Sequence, residues 1–326
     1  MNHKRQLLAQ LGLIAAALCL PFAATAQNDV AVPSTMKIVV PFGPGASNDA
    51  IARAVAPLLA KRLGNTVIVE NKAGAAGTIG ADFVAKGPRD GSVLLLTSST
   101  FVTAAATQAK MPYDPINAFA PVAMVGHGPM LVAVSAASPI KSAADLVAAA
   151  RARPGKITYA SSGIGSIAHL SSEMISDAAK IQMLHVPYKG AAPALMDMIG
   201  GQVDMMVSNY SSLAPQIKGG KVRAIGVTSA QASPAFADLP PMASVAPGFV
   251  ANIWVSILAP AGTPAALVAR LNREIVEIAS GPEVRALLEP DGAQPTPYAP
   301  AEVAQRIKDD LAAWKQIATE KKIVAE

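Results

Sequence analysis

The segment Lys37-Ile38-Val39-Val40-Pro41-Phe42-Gly43-Pro44-Gly45-Ala46-Ser47-Asn48-Asp49-Ala50-Ile51 runs from an apolar stretch through a Gly/Pro break into a helical pattern. Lys37–Val40 reads as a strand and Gly43–Ser47 as a loop. A helix is predicted over Asn48–Leu63, with Ile51, Val55, Leu58 and Leu59 on one face and Gly64 as its stop. Val67–Val69 is a second short strand leading into Gly74-Ala75-Ala76-Gly77, and a helix around Ile79–Lys86 ends at Gly87-Pro88. Val93–Leu96 is continuously apolar, the pattern of a strand buried on both faces. This βαβαβ order predicts a parallel sheet covered by helices.

A second set follows the same order. Met130–Val134 reads as a strand, and Ser142-x-x-Asp145 resembles a capping box opening a helix that stops at Pro154-Gly155. Ile157–Tyr159 is a strand, Ala160–Ser166 a Gly/Ser loop and Ile167–Ala179 a helix. Further strands are predicted at Leu184–Val186, Met205–Val207, Val222–Thr228 and Ile253–Leu258. A helix opened by Thr263-Pro264 ends at Gly281-Pro282, and a last amphipathic helix spans Ala301–Ile317. The fold class is α/β, with no internal repeat at a 20–50 residue period.

The 326 residues are 52% hydrophobic and 15% charged, which excludes a disordered chain and raises the question of a membrane span. At the N-terminus His3, Lys4 and Arg5 precede an apolar run from Leu7 to Leu20 and the small-residue site Ala24-Thr25-Ala26. These are the parts of a secretory signal, with cleavage expected before Gln27. The apolar run falls short of the roughly 20 residues that a span requires. The other long uncharged stretch, Leu239–Ala269, is broken by Pro240, Pro241, Pro247, Pro260 and Pro264. An exported, soluble, periplasmic protein is therefore expected.

Cleavage would leave 300 residues and, without Lys4 and Arg5, a net charge of +3 in place of +5. That balance, without clustered Lys/Arg and interleaved aromatics, excludes nucleic acid as a partner. The single cysteine, Cys19, lies in the signal behind Leu18, which does not suit lipid anchoring. No thiol, disulfide or cysteine metal site is expected in the mature chain.

Two strand–loop–helix units carry the informative chemistry. Each sets a Gly/Ser-rich loop before a helix, so unpaired backbone N–H groups and the positive helix end face outward together. Such a place binds an anion without arginine. Glycine admits close approach, and Ser47 or Ser166 can cap or donate. One such loop is ordinary in an α/β protein; two, in successive units, point to a carboxylate or phosphate clamped between them.

Enzyme readings fare less well. Gly43-x-Gly45-x-x-Asn48, with Glu70 as a ribose ligand, lacks the third glycine of a dinucleotide fingerprint, and Pro44 removes one N–H. Ser162 has Ala160 where a nucleophile elbow needs its first glycine. His127, His169 and His185 have no metal-ligand spacing. His169, one turn into the second loop's helix, is a secondary cleft residue. Asp49 is read equally as a helix cap or a ligand contact, and Tyr188-Lys189-Gly190 as a turn. The competing expectation is an exported hydrolase acting on a carboxylate ester or amide through Ser162 or His169.

Several ordered motifs give a resemblance. Pro41-Phe42-Gly43-Pro44-Gly45 with Asn48-Asp49-Ala50-Ile51-Ala52-Arg53 resembles the first-loop signature of the Bug receptors, the extracytoplasmic solute receptors of tripartite tricarboxylate transporters. Val69–Gly77, Tyr159–Ser166 with His169-Leu170, His185–Gly190, Gly201-Gln202-Val203-Asp204 and Ala259–Pro264 keep the family order across the mature chain. The family usually has Gly-Gly at Gly45-Ala46, glycine at Ala76, and Pro-Thr where Pro241-Met242 stands. Ala46 thus adds a methyl beside the expected anion.

The resemblance implies a two-lobe type II periplasmic-binding-protein fold with the ligand cleft between the lobes. Residues 27–128 and 230–326 would form lobe one and residues 129–229 lobe two. It implies a ligand carboxylate held by backbone amides, hydroxyls and waters: Gly45, Ala46 and Ser47 from lobe one, Ser162, Gly163, Gly165 and Ser166 from lobe two. Phe42 and Ala75 would line the cleft, with Tyr188 and Ser208 toward its far end. The expected ligand is a di- or tricarboxylate, amino acid or aromatic acid, passed to membrane subunits of a transporter or read by a sensor. A monomer without cofactor, metal or catalytic residue is expected.

Overall fold

The computed structural model describes residues 31–188 and 190–325. The expected signal with Cys19, and Lys189 of the predicted turn, lie outside the described residues. In chain order the strands are β1 Thr35–Val40, β2 Thr66–Asn71, β3 Val93–Ser98, β4 Phe119–Pro129, β5 Leu131–Ser135, β6 Ile157–Ser161, β7 Met183–Pro187, β8 Met205–Ser208, β9 Val222–Val227, β10 Asn252–Pro260 and β11 Gln294–Pro295. The helices are α1 Ser47–Leu63, α2 Thr78–Ala85, α3 Thr100–Thr107, α4 Ala143–Ala152, α5 Ile167–Ala179, α6 Ala191–Ile199, α7 Tyr210–Lys218, α8 Ala265–Ser280, α9 Pro282–Leu288 and α10 Pro300–Glu320.

These strands form two sheets. One has the order β11-β4-β10-β3-β1-β2 and the other β7-β6-β8-β5-β9. The expected parallel pairing holds for β1 with β2 and β3, and for β6 with β7 and β8. Each sheet is nevertheless mixed, because β10 runs antiparallel to β3 and β4, and β5 antiparallel to β8 and β9. The all-parallel expectation is corrected on that point: β10 arrives after the long excursion through the second sheet, so no crossover helix fixes its direction.

Burial follows the sequence pattern. All six residues of β3 are buried, with Leu94, Leu95 and Leu96 fully so. Each such side chain contributes roughly 1.5–3 kcal/mol of transfer free energy. Trp254 of β10 is anchored at both ends: its backbone N–H donates to Ser99 Oγ at 2.9 Å and its indole N–H to Asp310 of α10 at 2.7 Å. Beyond that contact, Lys321 reaches Asp177 of α5 at 2.8 Å, so the C-terminal segment spans from one sheet's helices to the other's.

The chain leaves the first sheet at Met130 and returns between Val227 and Asn252. Where these passages run side by side, Met130 N–H donates to Thr228 Oγ1 at 2.7 Å and Thr228 N–H to the Met130 carbonyl at 2.9 Å. Thr228 is fully buried. A reciprocal hydrogen-bonded pair therefore joins the two crossing segments.

Candidate functional site

The first loop is set by Asp49. Its buried carboxylate accepts the Gly45 N–H at 2.9 Å, Arg53 Nε at 3.0 Å and Asn71 Nδ2 at 2.9 Å. Asn71, the last residue of β2, also donates to the Phe42 carbonyl at 3.1 Å. Hydrogen bonding by Arg53, then by the Gly45 N–H, holds the Asp49 pKa down to about 2, so the group is a carboxylate at any neutral pH. Gly45 takes a φ of +81°, a conformation suited to glycine. Ala46, the residue before α1, supplies no side-chain cap. The first-turn N–H groups of Ser47, Asn48 and Asp49 thus have no capping acceptor from it.

A second loop-to-helix unit follows β6. Ser166 caps α5 by accepting the His169 N–H, and its own N–H donates to the Gly163 carbonyl. Gly165 N–H donates to His169 Nδ1 at 3.2 Å. Gly163 and Gly165 both have positive φ, +134° and +75°. A Cβ on Gly165 would lie 2.4 Å from Thr107 Oγ1, so only glycine lets this loop rest on the end of α3. Ser162 is exposed at the loop tip.

Neighbouring residues at that α3 terminus touch the second loop and the Gly74–Gly77 turn. Thr107 packs on Gly165, and Gln108 donates to the Ala75 carbonyl at 3.3 Å. Ala75 and Ala76 have φ of +47° and +53°, between Gly74 and Gly77, which are also positive. Four consecutive residues thus occupy the glycine-favouring half of the map, two of them alanines.

A cavity of about 230 Å³ lies against the first loop and is lined by Phe42, Ala46 and Ser47, with Thr100, His127, Asn209 and Trp254 among its other walls. Of the sequence-named residues, Phe42, Ala46 and Ser47 share this cavity, while Ala75 and Gly165 meet on α3. Ser162, Gly163 and Ser166 share the second loop but not the cavity lining. Tyr188 closes on that loop, donating its N–H to the Ser161 carbonyl, while its hydroxyl donates to Asp197 at 2.8 Å. Burial, and then the Asp197 carboxylate, push its pKa up to about 12. Ser208 ends β8, buried, one residue before cavity-lining Asn209. Asp49 and His169 are turned inward on their own loops. Asn71, Thr107, Gln108 and Asn209 were not singled out from sequence; Asn71 closes β2 and Asn209 follows β8, a place at a strand end that could have flagged both.

The hydrolase constellation is not supported. His169 Nδ1 is taken by Gly165, and the serine that touches a histidine is Ser161, whose Oγ lies 2.6 Å from His185 Nε2. Ser161 is fully buried, out of a substrate's reach. The ribose role considered for Glu70 also lapses, because Lys37 and Lys72 both pair with it. Among the described residues no group of three or more His, Cys, Asp or Glu side chains could hold a metal, and no helix is long and apolar enough to cross a membrane.

Two mixed sheets joined by paired crossings, with helix N-termini behind glycine loops, define a solute-binding protein of the periplasmic type. The chain belongs to the family described as tripartite tricarboxylate transporter family receptor, whose sequence profile matches residues 51–323. It is similar to Protein BugT of Bordetella pertussis, 34% identical over 98% of both chains. Among solved structures it resembles the periplasmic binding protein BugD, at 33% identity and a TM-score of 0.75 over 90% of this chain and 100% of that one. An R. palustris protein solved with adipate has a TM-score of 0.77 at 31% identity, covering 89% and 98% of the two chains. MatC from Rhodopseudomonas palustris, solved with bound malate, has a TM-score of 0.74 at 30% identity, covering 87% and 98%.

Proposed function

We propose that this receptor captures a small organic carboxylate between two lobes, residues 27–128 with 230–326 and residues 129–229, and releases it to membrane subunits of a tripartite transporter. The observation that carries this reading is the pair of uncharged loop–helix units, Gly45-Ala46 leading into α1 and Ser162–Ser166 leading into α5. Adipate and malate in similar proteins support a carboxylate as ligand. First-turn amides of each helix offer donors and a positive end to an anion. The Gly45 N–H serves Asp49 and the Ala46 N–H serves the Gly43 carbonyl, so in lobe one the donors are Ser47 and Asn48.

The Met130–Thr228 pair is the hinge in this reading. A ligand touching both lobes favours the closed form by its differential affinity. The chain acts without catalysis, as an exported monomer in the periplasm. A thermal-shift screen of mono-, di- and tricarboxylates, amino acids and aromatic acids tests it. A true ligand at a hundredfold excess over Kd adds about 2.7 kcal/mol of stability and is recovered unchanged. No shift with any carboxylate, together with hydrolysis that Ser162→Ala abolishes, would overturn it.

A further inference from the structure

A larger cavity, about 540 Å³, lies along edge strand β9, apart from the loops described above. That volume is in the range of small-ligand sites. Its walls include Leu131 of β5, Tyr210 and Ile217 of α7, and Phe236 and Leu239 of the segment after β9. The Tyr210 and Phe236 rings stand 5.3 Å apart, tilted by 50°. One cationic side chain, Arg223 of β9, completes the lining. Its Nη2 donates to the Ala136 carbonyl at 3.1 Å, while its Nη1 is shut off from solvent with no hydrogen-bond partner.

A guanidinium nitrogen so placed has lost its water and gained no acceptor in exchange. The surrounding charges leave that deficit standing. Asp238 lines the cavity but is exposed, and exposed Lys221 sits between lining residues Gly220 and Val222. The carbonyls that end α7 are occupied by the N–H groups of Gly219, Gly220 and Lys221. An anionic group bound in the cavity supplies the acceptor that the described residues do not. Rotation of the Arg223 side chain, which already lines the cavity, presents Nη1 to it.

We propose that this cavity is a second ligand site, separate from the carboxylate cleft, for a small anion with an apolar body such as an aromatic carboxylate or sulfonate. The anionic end pairs with Arg223, and the ring lies among Tyr210, Ile217, Phe236 and Leu239. The test is a fluorescence titration of the mature protein with 8-anilinonaphthalene-1-sulfonate and with its uncharged counterpart, N-phenyl-1-naphthylamine. Wild type should bind the sulfonate saturably and at least tenfold more tightly than the neutral dye. Arg223→Met should erase that preference while retaining the neutral dye. Ala237→Trp, at an exposed lining position, should block both and leave the unfolding midpoint unchanged. Equal affinity for the two dyes, no saturable sulfonate binding, or sulfonate binding unchanged in either variant would overturn the proposal.

Discussion

The imidazole rings of His169 and His185 stack with centroids 3.7 Å apart and planes within 15° of each other. The Tyr159 ring lies beside the pair, 4.9 Å from His185 and 6.1 Å from His169, and its hydroxyl donates to Glu173. Because Gly165 N–H donates to His169 Nδ1, and Ser161 Oγ bonds His185 Nε2, the pair braces the second loop from behind.

Burial holds both histidines down to about 4, with His169 itself adding to the effect on His185. The unfolded chain, with ordinary imidazoles near 6.5, therefore takes up protons first as pH falls. Stability is present in full above pH 6.5 and is lost between 6.5 and 4, by up to about 3 kcal/mol for each group. Urea unfolding across that window should show the loss, and His185→Gln should remove about half of the slope. A flat profile from pH 7 to 4 would contradict the buried neutral pair.

Asp49→Ala should loosen the first loop. The change strands the Gly45 N–H and one Asn71 N–H, costing about 2 kcal/mol at roughly 1 kcal/mol per bond, while the half-exposed Arg53 pair adds little. Chemical denaturation should record that drop, and carboxylate affinity should fall with it. Unchanged stability would show that Asp49 does not set the loop.

Ala76→Gly should stabilise the protein. A left-handed alanine costs about 1–2 kcal/mol, and the added chain entropy of glycine returns about half of that, leaving a gain of up to about 1 kcal/mol. Ala46, at a φ of −68°, carries no such strain, so the departure from Gly-Gly there leaves the backbone unstrained. Equilibrium unfolding of Ala76→Gly against wild type distinguishes the outcomes; a loss of stability would contradict the assignment of strain.

Much of the frame was legible because glycine loops and the 3.6-residue period mark strand–loop–helix units locally. The unread parts had tertiary causes. Strand β4 hides behind Pro121, Gly126 and Gly128, yet Gly128 is required because a Cβ there would stand 2.6 Å from the Ala293 Cα. Helices α6 and α7 contain Pro193 and Pro215. Pro193 stands in a first turn, where no intrahelical N–H is needed, so it does not break the helix. The candidate loops were found by composition, but the direction of Asp49 and His169 was not. His169 and His185 read as solitary until α5 packs His169 against His185 of β7, ring to ring.

The most direct test is calorimetric titration of the carboxylate panel into wild type and Gly163→Val. Gly163 has a φ of +134° with only the Tyr188 carbonyl near its missing Cβ, at 3.6 Å, so valine distorts the loop while the core remains. At least one carboxylate should bind wild type at one per chain and be recovered intact, and Gly163→Val should weaken this binding at least tenfold without loss of fold. Full affinity in Gly163→Val, or no carboxylate bound by wild type, would contradict it.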